Sequence, residues 1–268
     1  MLWLLPWEEK NSLKHVHWVV YGLIALNVGI FLATWRGDAG QLIEHYGQYA
    51  LTPGDARWYQ FVTSSFLHAG WMHLLGNMMF LYLFGDNIED VLGPLGFLTL
   101  YLVGGVLGDL FFVSSNATNM VPSIGASGCV AAVAGAYAVL FARQPCSVRV
   151  MLIVFPIYTI NLRAIWLLLL WFGADIVQTL VTRAHMGHDG GTNFVVHAAG
   201  FFLGVVVALF ARMHGVMRRY EAMPCGHGLF GYWPSDIEAA FRREQRMRMV
   251  RERTDMLRNE LRRDRRQR

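Results

Sequence analysis

The sequence predicts an all-α membrane protein, a bundle of six transmembrane helices. Three observations lead to this fold class. Hydrophobic residues make up 54% of the chain and give a mean hydropathy of +0.34, while charged residues make up only 16%. The apolar residues are also collected into six separate runs. A water-soluble domain carries about a quarter charged residues, so this composition excludes an ordinary soluble enzyme or binding module.

A helix needs roughly 20 apolar residues to cross the hydrocarbon core, and most runs are close to this length, although some are short at one end. The runs cover residues 17–35, 71–85, 93–113, 124–142, 164–181 and 194–212. Between the fourth and fifth runs, residues 149–162 are also apolar, but this stretch is short and contains Pro156. Proline is disfavoured inside a helix, so we predict an interfacial hairpin there and not a seventh span.

An even number of spans puts both ends of the chain on one side of the membrane, and the basic residues indicate which side. With the N-terminus inside, 20 of the 23 Lys and Arg residues fall on the inner side. Only Arg36, Arg57 and Arg183 then lie outside. Positive charge collects on the cytoplasmic side of membrane proteins, so both termini are predicted to be cytoplasmic. The modest length and the absence of a recognisable transit peptide favour a bacterial inner membrane.

The predicted organisation has three parts: an inner N-terminal segment at 1–16, a six-span body at 17–213 and a basic tail at 214–268. The tail carries 12 Arg and 5 acidic residues from Arg242 onward. Ser235 and Glu238 fit a capping box, which predicts a helix from about 235. The simplest interpretation is a solvated helix on the inner face. Contact with anionic lipid headgroups is a second interpretation, and no nucleic-acid partner is expected.

Four polar residues stand out inside the predicted spans, where a polar group is costly and usually serves a function; Asp109 and Asp175 also lie in spans. His73 and Asn77 lie in the second span, Ser127 in the fourth and His197 in the sixth. These spans all descend from the outer side, and His73, Ser127 and His197 come within the first few residues of each. At about 1.5 Å per residue they share one depth. Asn77 follows one turn deeper on the helix face of His73.

Small residues predict that the fourth and sixth spans touch. In the sixth span, Gly200 and Gly204 fall on the helix face of His197. In the fourth span, alanines and Gly135 follow Ser127 on roughly one face. Stripes of small residues let the backbones of two membrane helices approach closely. We therefore expect His197 to lie beside Ser127.

This group of residues is suited to nucleophilic catalysis. A serine hydroxyl becomes reactive when a base removes its proton, and neutral His197 can be that base for Ser127. The oxyanion formed at an attacked carbonyl needs hydrogen-bond donors. The backbone N–H of Ser127, at a helix N-terminus, is one such donor, and His73 and Asn77 can add side-chain donors. No acid is evident in the outer half of the predicted bundle to orient His197, so the pattern predicts a dyad.

With these motifs in this order, the sequence resembles the rhomboid family of intramembrane serine proteases. The resemblance covers the six-span body and rests on FVTSSFLHAGWMHLLGNMMFLYLFGDNIED at 61–90, GASG at 125–128 and HAAGFFLG at 197–204. It implies that Ser127 is the nucleophile, that His197 is the general base, and that His73 and Asn77 are oxyanion donors with the Ser127 N–H. Glycines are expected to support this site, namely Gly125, Gly128, Gly200 and Gly204.

The resemblance also implies structural roles for His68 and Glu89. One position departs from the family pattern. Many members carry an aromatic residue four positions after the nucleophile, where it stacks on the base, and this chain has Ala131 there. Something else must then hold the ring of His197.

The implied substrates are other membrane proteins, cut within or near a span in the lipid bilayer. A helix hides its carbonyl groups in hydrogen bonds, so the scissile segment has to unwind. We therefore expect substrates with Gly, Pro or polar residues near the outer end of a span. The fifth span and the loop 183–193, with Gly190 and Gly191, are candidates for a gate and a lid.

Other interpretations stay open at this point. Asp109 and Asp175 are interpreted as structural polar contacts. A metal site would draw on histidines, but no HExxH pattern is present and no metal or cofactor is predicted; these histidines are His68, His73, His185, His188 and His197. A non-catalytic rhomboid-like chaperone or adaptor would bind transmembrane helices without cutting them. A small transporter would need internal repeats and broken helices, and the sequence has neither.

Overall fold

The computed structural model describes residues 2–8, 16–152, 155–186 and 194–222, together with tail residues 242, 243, 245–251, 253, 254 and 256. The described tail residues are helical. The predicted capping box of Ser235 and Glu238 lies outside the described residues. So do residues 187–193 of the loop proposed as a lid, and the side chains of its remaining residues are likewise not described.

The body of the chain is helical, as the sequence predicts. Its helices are α1 (Trp18–Thr34), α2 (Ala39–Tyr46), α3 (Gln60–Thr63), α4 (Trp71–Ser115), α5 (Ser127–Leu140), α6 (Ala164–Met186), α7 (Phe194–Met213) and α8 (Val216–Ala222). Short 3-10 turns at Gly47–Tyr49, Pro53–Asp55 and Ser64–Phe66 shape the segment between α2 and α4. The predicted spans correspond to α1, the two parts of α4, α5, α6 and α7.

Helix α4 is two helical segments that meet at Gly93. The φ angle of Gly93 is +74°, in the region that glycine adopts at little cost. Pro94 follows, and proline disfavours the helical conformation of the residue before it. The break therefore separates the predicted second span from the predicted third span.

Only some of the described helices are by themselves long and apolar enough to cross a membrane. Among the described residues, Trp71–Ser115 and Phe194–Met213 satisfy these criteria, and the bent pair Trp18–Thr34 and Ala39–Tyr49 does so when taken as one span. Ser127–Leu140 and Ala164–Val177 are apolar but shorter. The chain is thus a helical membrane bundle, and the count of six spans stays a prediction.

Helix α5 forms the centre of the bundle. Its residues from Gly128 to Ala138 are buried, and it packs against both α4 and α7. The contacts are so close that an added Cβ at Gly104 of α4 would overlap the Ala132 side chain. An added Cβ at Gly204 of α7 would overlap the Ala132 carbonyl oxygen. The small residues therefore set how closely these three helices approach.

The mostly helical chain also contains one three-stranded antiparallel sheet among the described residues. Strands β2 (Pro145–Leu152) and β3 (Phe155–Arg163) form the hairpin that the sequence predicts between the fourth and fifth spans. Strand β1 (Leu2–Glu8) was not predicted, and it pairs with β2 from Leu2 opposite Leu152 to Glu8 opposite Cys146. Strand β1 is an edge strand, the position in a sheet where a residue such as Pro6 is tolerated.

Acidic residues in the middle of α4 hold the start of α1. The Glu89 carboxylate accepts hydrogen bonds from the backbone N–H groups of Val19 at 3.2 Å and Val20 at 2.9 Å. Asp90 lies 2.9 Å from His17 Nε2 and accepts from the Tyr220 hydroxyl at 3.5 Å. Glu89 thus satisfies two N–H groups at the helix end that have no partner within the helix, a structural role in agreement with the resemblance.

Candidate active site

Ser127 occupies the first position of α5, directly after a loop that hydrogen bonds fix to the neighbouring segment. The Gly125 N–H donates to the Ser64 carbonyl at 2.9 Å, and Ser123 forms an isolated antiparallel bridge with Leu51. The first N–H groups of a helix have no acceptor within the helix, and the Ser127 N–H belongs to this group. The Ser127 side chain is half-buried, whereas the residues of the turn that follows are buried.

His197 lies in the first turn of α7, beside the first turn of α5. It is 6% exposed. An added Cβ at Gly128 would lie 2.6 Å from Val196 Cγ1, and one at Gly200 would overlap the Gly128 carbonyl. Val196 and Gly200, which lie before and after His197 on α7, therefore pack against Gly128, the residue after Ser127. This is the backbone-to-backbone contact that the small-residue stripes predict.

In the described part of the chain, no hydrogen bond joins the Ser127 hydroxyl to His197. Catalytic hydrogen bonds are often long before substrate is bound. The roles of Ser127 and His197 therefore stay predictions that rest on the chemistry and position of these two residues.

His73 lies against the loop that precedes Ser127. Its Cε1 and Nε2 atoms would both be 2.6 Å from a Cβ added at Gly125, whose φ is +124°. The Ala69 N–H donates to His73 Nδ1 at 3.4 Å. A neutral imidazole that accepts at Nδ1 carries its proton on Nε2. The hydrogen bond therefore makes Nε2, the atom beside Gly125, a donor.

Asn77 is buried one turn below His73, as predicted. Its side-chain amide donates to the His73 backbone carbonyl at 3.0 Å. An amide nitrogen has two hydrogens, so one remains for another acceptor. The four polar residues predicted to form one site therefore come from the first turns of α5 and α7 and the first two turns of α4.

Asp175 of α6 corrects the prediction that no acid contacts His197. Its Oδ2 atom lies 2.9 Å from His197 Nδ1, and both side chains are 7% exposed. Trp171, one turn earlier on α6, lies with its ring centre 5.9 Å from that of His197, at 32° between the planes. Trp171 therefore supplies the aromatic contact that Ala131, a buried alanine of α5, does not.

Asp175 was not identified from the sequence as a partner of His197, because residue counting does not show which helices pack side by side. In the predicted fifth span, 164–181, which runs from the inner to the outer side, Asp175 is the twelfth of 18 residues, so residue counting puts it in the outer half but deeper than His197. His197 is the fourth residue of α7, near the outer surface. Only the packing of α6 against α7 determines that these two residues meet.

Asp109 has the structural position that was predicted for it. It is buried, and its Oδ2 atom accepts from the Ser64 hydroxyl at 3.2 Å. Ser64 is also the residue whose carbonyl holds Gly125. Asp109 thus fixes the segment behind the candidate site through its hydrogen bond to Ser64.

His68 is buried in the loop before α4, and neither of its ring nitrogens has a hydrogen-bond partner within the described chain. Its ring meets that of His73 edge-on, with 5.2 Å between centres. Burial, with the nearby His73 as a second cause, lowers the pKa of His68 to about 3. His68 is therefore uncharged at physiological pH. Among the described residues, no group of three or more His, Cys, Asp or Glu could hold a metal ion.

Comparisons with known proteins agree with the resemblance drawn from the motifs. Residues 55–214 match the family model described as the rhomboid domain. Rhomboid-like protein 11, chloroplastic, from Arabidopsis thaliana is 38% identical over 115 residues, which cover 41% of this chain and 38% of that protein. The putative rhomboid protease YdcA from Bacillus subtilis is 30% identical over 126 residues, which cover 47% of this chain and 57% of that protein.

A third relative carries a different description. Inactive RHOMBOID-like protein 8 from Arabidopsis thaliana is 30% identical over 132 residues, which cover 47% of this chain and 37% of that protein. The chain thus spans between 37% and 57% of the lengths of these three relatives. Relatives of both descriptions match, so the similarity does not decide whether this chain is catalytic.

The comparisons support a membrane protein but not the predicted bacterial inner membrane. The relatives include chloroplastic and mitochondrial proteins as well as a bacterial one. Similarity to this set therefore does not select one cellular membrane.

Proposed function

The chain belongs to the rhomboid family, and from this premise we propose that it is an intramembrane serine endopeptidase that cleaves transmembrane segments of other membrane proteins. The observation that supports catalysis most directly is the close contact between the first turns of α5 and α7. These two turns carry Ser127 and His197. The Gly128 and Gly200 positions leave no room for a side chain between the helices.

In the proposed mechanism, His197 takes the proton of the Ser127 hydroxyl as that oxygen attacks the scissile carbonyl. The acyl group is then bonded to Ser127, and His197 donates the proton to the leaving amine. A water molecule, deprotonated in turn by His197, hydrolyses the ester and restores the free hydroxyl. These steps use only a serine, a histidine and water.

The proposed oxyanion site consists of the Ser127 N–H, the His73 Nε2 proton and the Asn77 amide. The first is a helix N-terminal N–H, which favours an anion. The hydrogen bond from Ala69 to His73 Nδ1 supports a proton on Nε2. Fixed donors of this kind stabilise a developing negative charge without reorganisation. Gly125 supports the site because only glycine leaves room for the His73 ring.

The substrates proposed are membrane proteins with Gly, Pro or polar residues near the outer end of a span, since a regular helix protects its carbonyls. We propose further that both termini lie on the inner side and that the three-part organisation of the chain holds. The Arg-rich tail is proposed to lie near anionic lipid headgroups, where each Arg contributes on the order of 1 kcal/mol.

The proposal is tested by labelling the purified full chain with a fluorophosphonate probe in detergent. An unactivated serine hydroxyl hardly reacts near neutral pH, so the labelled residue identifies the nucleophile. Wild-type protein should be labelled, Ser127→Ala should not, and His197→Ala should be labelled much more slowly. Cleavage of a fluorescent transmembrane substrate should fall in the same order.

Ser115→Ala is the matched control. The Ser115 hydroxyl donates to the Phe111 carbonyl of its own helix and has no role in the proposed site, so labelling should equal that of the wild type. If folded wild-type protein stays unlabelled in detergent and in bilayers, the protease proposal fails and a chaperone or adaptor that binds transmembrane helices replaces it. Equal labelling of Ser127→Ala would show that another serine reacts.

A further inference from the structure

We infer that Asp175 and Trp171, one turn apart on α6, are positioning residues that hold His197 in the tautomer and ring orientation of a general base. The inference rests on the proposed protease function. It adds two residues that neither touch the reacting atoms nor belong to the predicted dyad. Its consequence is that a third helix, α6, determines whether the base is competent.

The tautomer follows from the hydrogen bond between Asp175 and His197. An ionised carboxylate can only accept a hydrogen bond, so we take His197 Nδ1 as the donor in its 2.9 Å contact with Asp175. A neutral imidazole with its proton on Nδ1 has a lone pair on Nε2. That lone pair is what a base needs to take the proton of a serine hydroxyl.

The two histidines of the site are assigned opposite tautomers by their partners. His73 accepts the Ala69 N–H at Nδ1 and so has its proton on Nε2. His197 donates from Nδ1 to Asp175 and so has its lone pair on Nε2. One imidazole is therefore arranged as a donor and the other as an acceptor. An oxyanion donor and a general base require this difference.

The ring plane of His197 is fixed by Trp171. The centre of the Trp171 ring lies 5.9 Å from the centre of the His197 imidazole and 5.2 Å from the centre of the Phe80 ring. Phe80 belongs to α4 and His197 to α7, so the indole contacts both of these helices. Trp171 and Asp175 are four residues apart, which places them on one face of α6. The two side chains therefore restrict the same imidazole by a ring contact and a hydrogen bond.

Asp175 and Trp171 lie on a different helix from Ser127 and His197. Ser127 and His197 come from α5 and α7, whose backbones are in close contact. Asp175 and Trp171 come from α6, where a Cβ added at Gly173 would have nothing within 4 Å. A displacement of α6 would therefore release the imidazole while leaving Ser127 and His197 side by side. Catalytic competence would be lost without any change in the dyad itself.

Two measurements on the purified full chain test the inference. The first is the fluorophosphonate labelling rate together with kcat and KM for a fluorescent transmembrane substrate. Asp175→Asn should lower labelling and kcat by roughly 10²–10⁴-fold, the contribution typical of a general base, with KM little changed. Asp175→Glu should recover part of the rate, and Trp171→Phe should retain more than Trp171→Ala. Gly173→Ala is the control, since it lies on α6 with open space around it.

The second measurement is 15N NMR of histidine-labelled protein, which reports the tautomer without any reaction. The His197 signal, assigned by its loss in His197→Gln, should show a proton on Nδ1 in the wild type. In Asp175→Asn this tautomer should lose its dominance, because an amide can donate to Nδ1 as well as accept from it. Folding of each variant is checked by its melting temperature in detergent.

The outcomes separate this inference from the proposed function. If wild-type protein is not labelled by the fluorophosphonate probe but shows the Asp175-dependent tautomer, the protease proposal is wrong and the positioning of the His197 ring by Asp175 is still supported. Labelling and kcat of folded Asp175→Asn equal to the wild type, or a His197 tautomer unchanged in that variant, would overturn the inference. If Asp175→Asn has a lower melting temperature but the kcat of the wild type, Asp175 is a structural residue and the inference is also overturned.

Discussion

The replacement of Gly125 by Ala tests whether His73 is held where the oxyanion site needs it. An added Cβ would lie 2.6 Å from both Cε1 and Nε2 of His73, whereas ordinary contact begins at 3.4 Å. The ring or the loop must therefore move by about 0.8 Å (3.4 − 2.6). The φ of +124° adds strain of roughly 1–2 kcal/mol for an L-residue, and overpacking adds about 1–3 kcal/mol.

A displacement near 1 Å at a reacting centre costs roughly 10²-fold in rate. We therefore expect Gly125→Ala to lower kcat for a fluorescent transmembrane substrate by about that factor and to lower the melting temperature in detergent. Gly76→Ala is the matched control, because it lies in the same region of α4 with nothing within 4 Å of the added Cβ. That variant should keep the activity and stability of the wild type.

A stability cycle with His73→Ala isolates the contact from the backbone strain. Removing the ring should relieve the overlap, so Gly125→Ala should cost less in that background by about 0.5–3 kcal/mol, the range measured for residues in contact. The reasoning fails if Gly125→Ala has wild-type kcat and melting temperature, or if its cost is the same with and without the His73 ring.

Three further predictions follow from the site and its surroundings. Asn77→Ala should slow turnover by roughly 10²–10³-fold as an oxyanion donor is lost; unchanged kcat in it and in the double variant with His73→Ala would remove both residues from the mechanism. His68 has a pKa of about 3 in the folded chain and 6.5 when unperturbed, so the unfolded chain binds the proton first as the pH falls. The free energy of unfolding should therefore decrease below about pH 6.5, by about 1.4 kcal/mol at pH 5.5. His68→Phe should flatten this part of a plot of melting temperature against pH, and an equally steep plot would contradict the prediction. Truncation after Ala222 should leave cleavage in detergent intact, and lost activity in that folded variant would show that the tail is coupled to the site. Truncation after Arg219 also removes Tyr220 and its hydrogen bond to Asp90, so it should lower the melting temperature.

The sequence was most informative where local chemistry sets the structure. The predicted fourth span begins three residues before Ser127, the first residue of α5, because glycine and proline mark the loop before it. The break at Gly93 coincides with the predicted start of the third span, since Pro94 follows. The hairpin at 149–162 was predicted from Pro156 and its short length, and the two strands extend that stretch at both ends.

The prediction was incomplete where contacts depend on distant helices. Asp175 and Trp171 lie on a span whose offset relative to α7 has no local signal, so the hydrogen bond to His197 could not be predicted. Strand β1 is a short apolar segment whose partner lies far along the chain. Small-residue stripes, in contrast, indicated the α5–α7 contact, because only small residues permit it.

The pairing of β1 with β2 also sets an order of events during synthesis. Leu2 pairs with Leu152, which is made 150 residues later. At about 5–20 residues per second, the first strand waits roughly 8–30 s for its partner. Four of the predicted spans are made during that interval, so β1 is made before these spans but pairs only after them. A bulky domain fused directly before Leu2 is therefore expected to delay pairing of β1 with β2 and to leave insertion of the helices between them undisturbed.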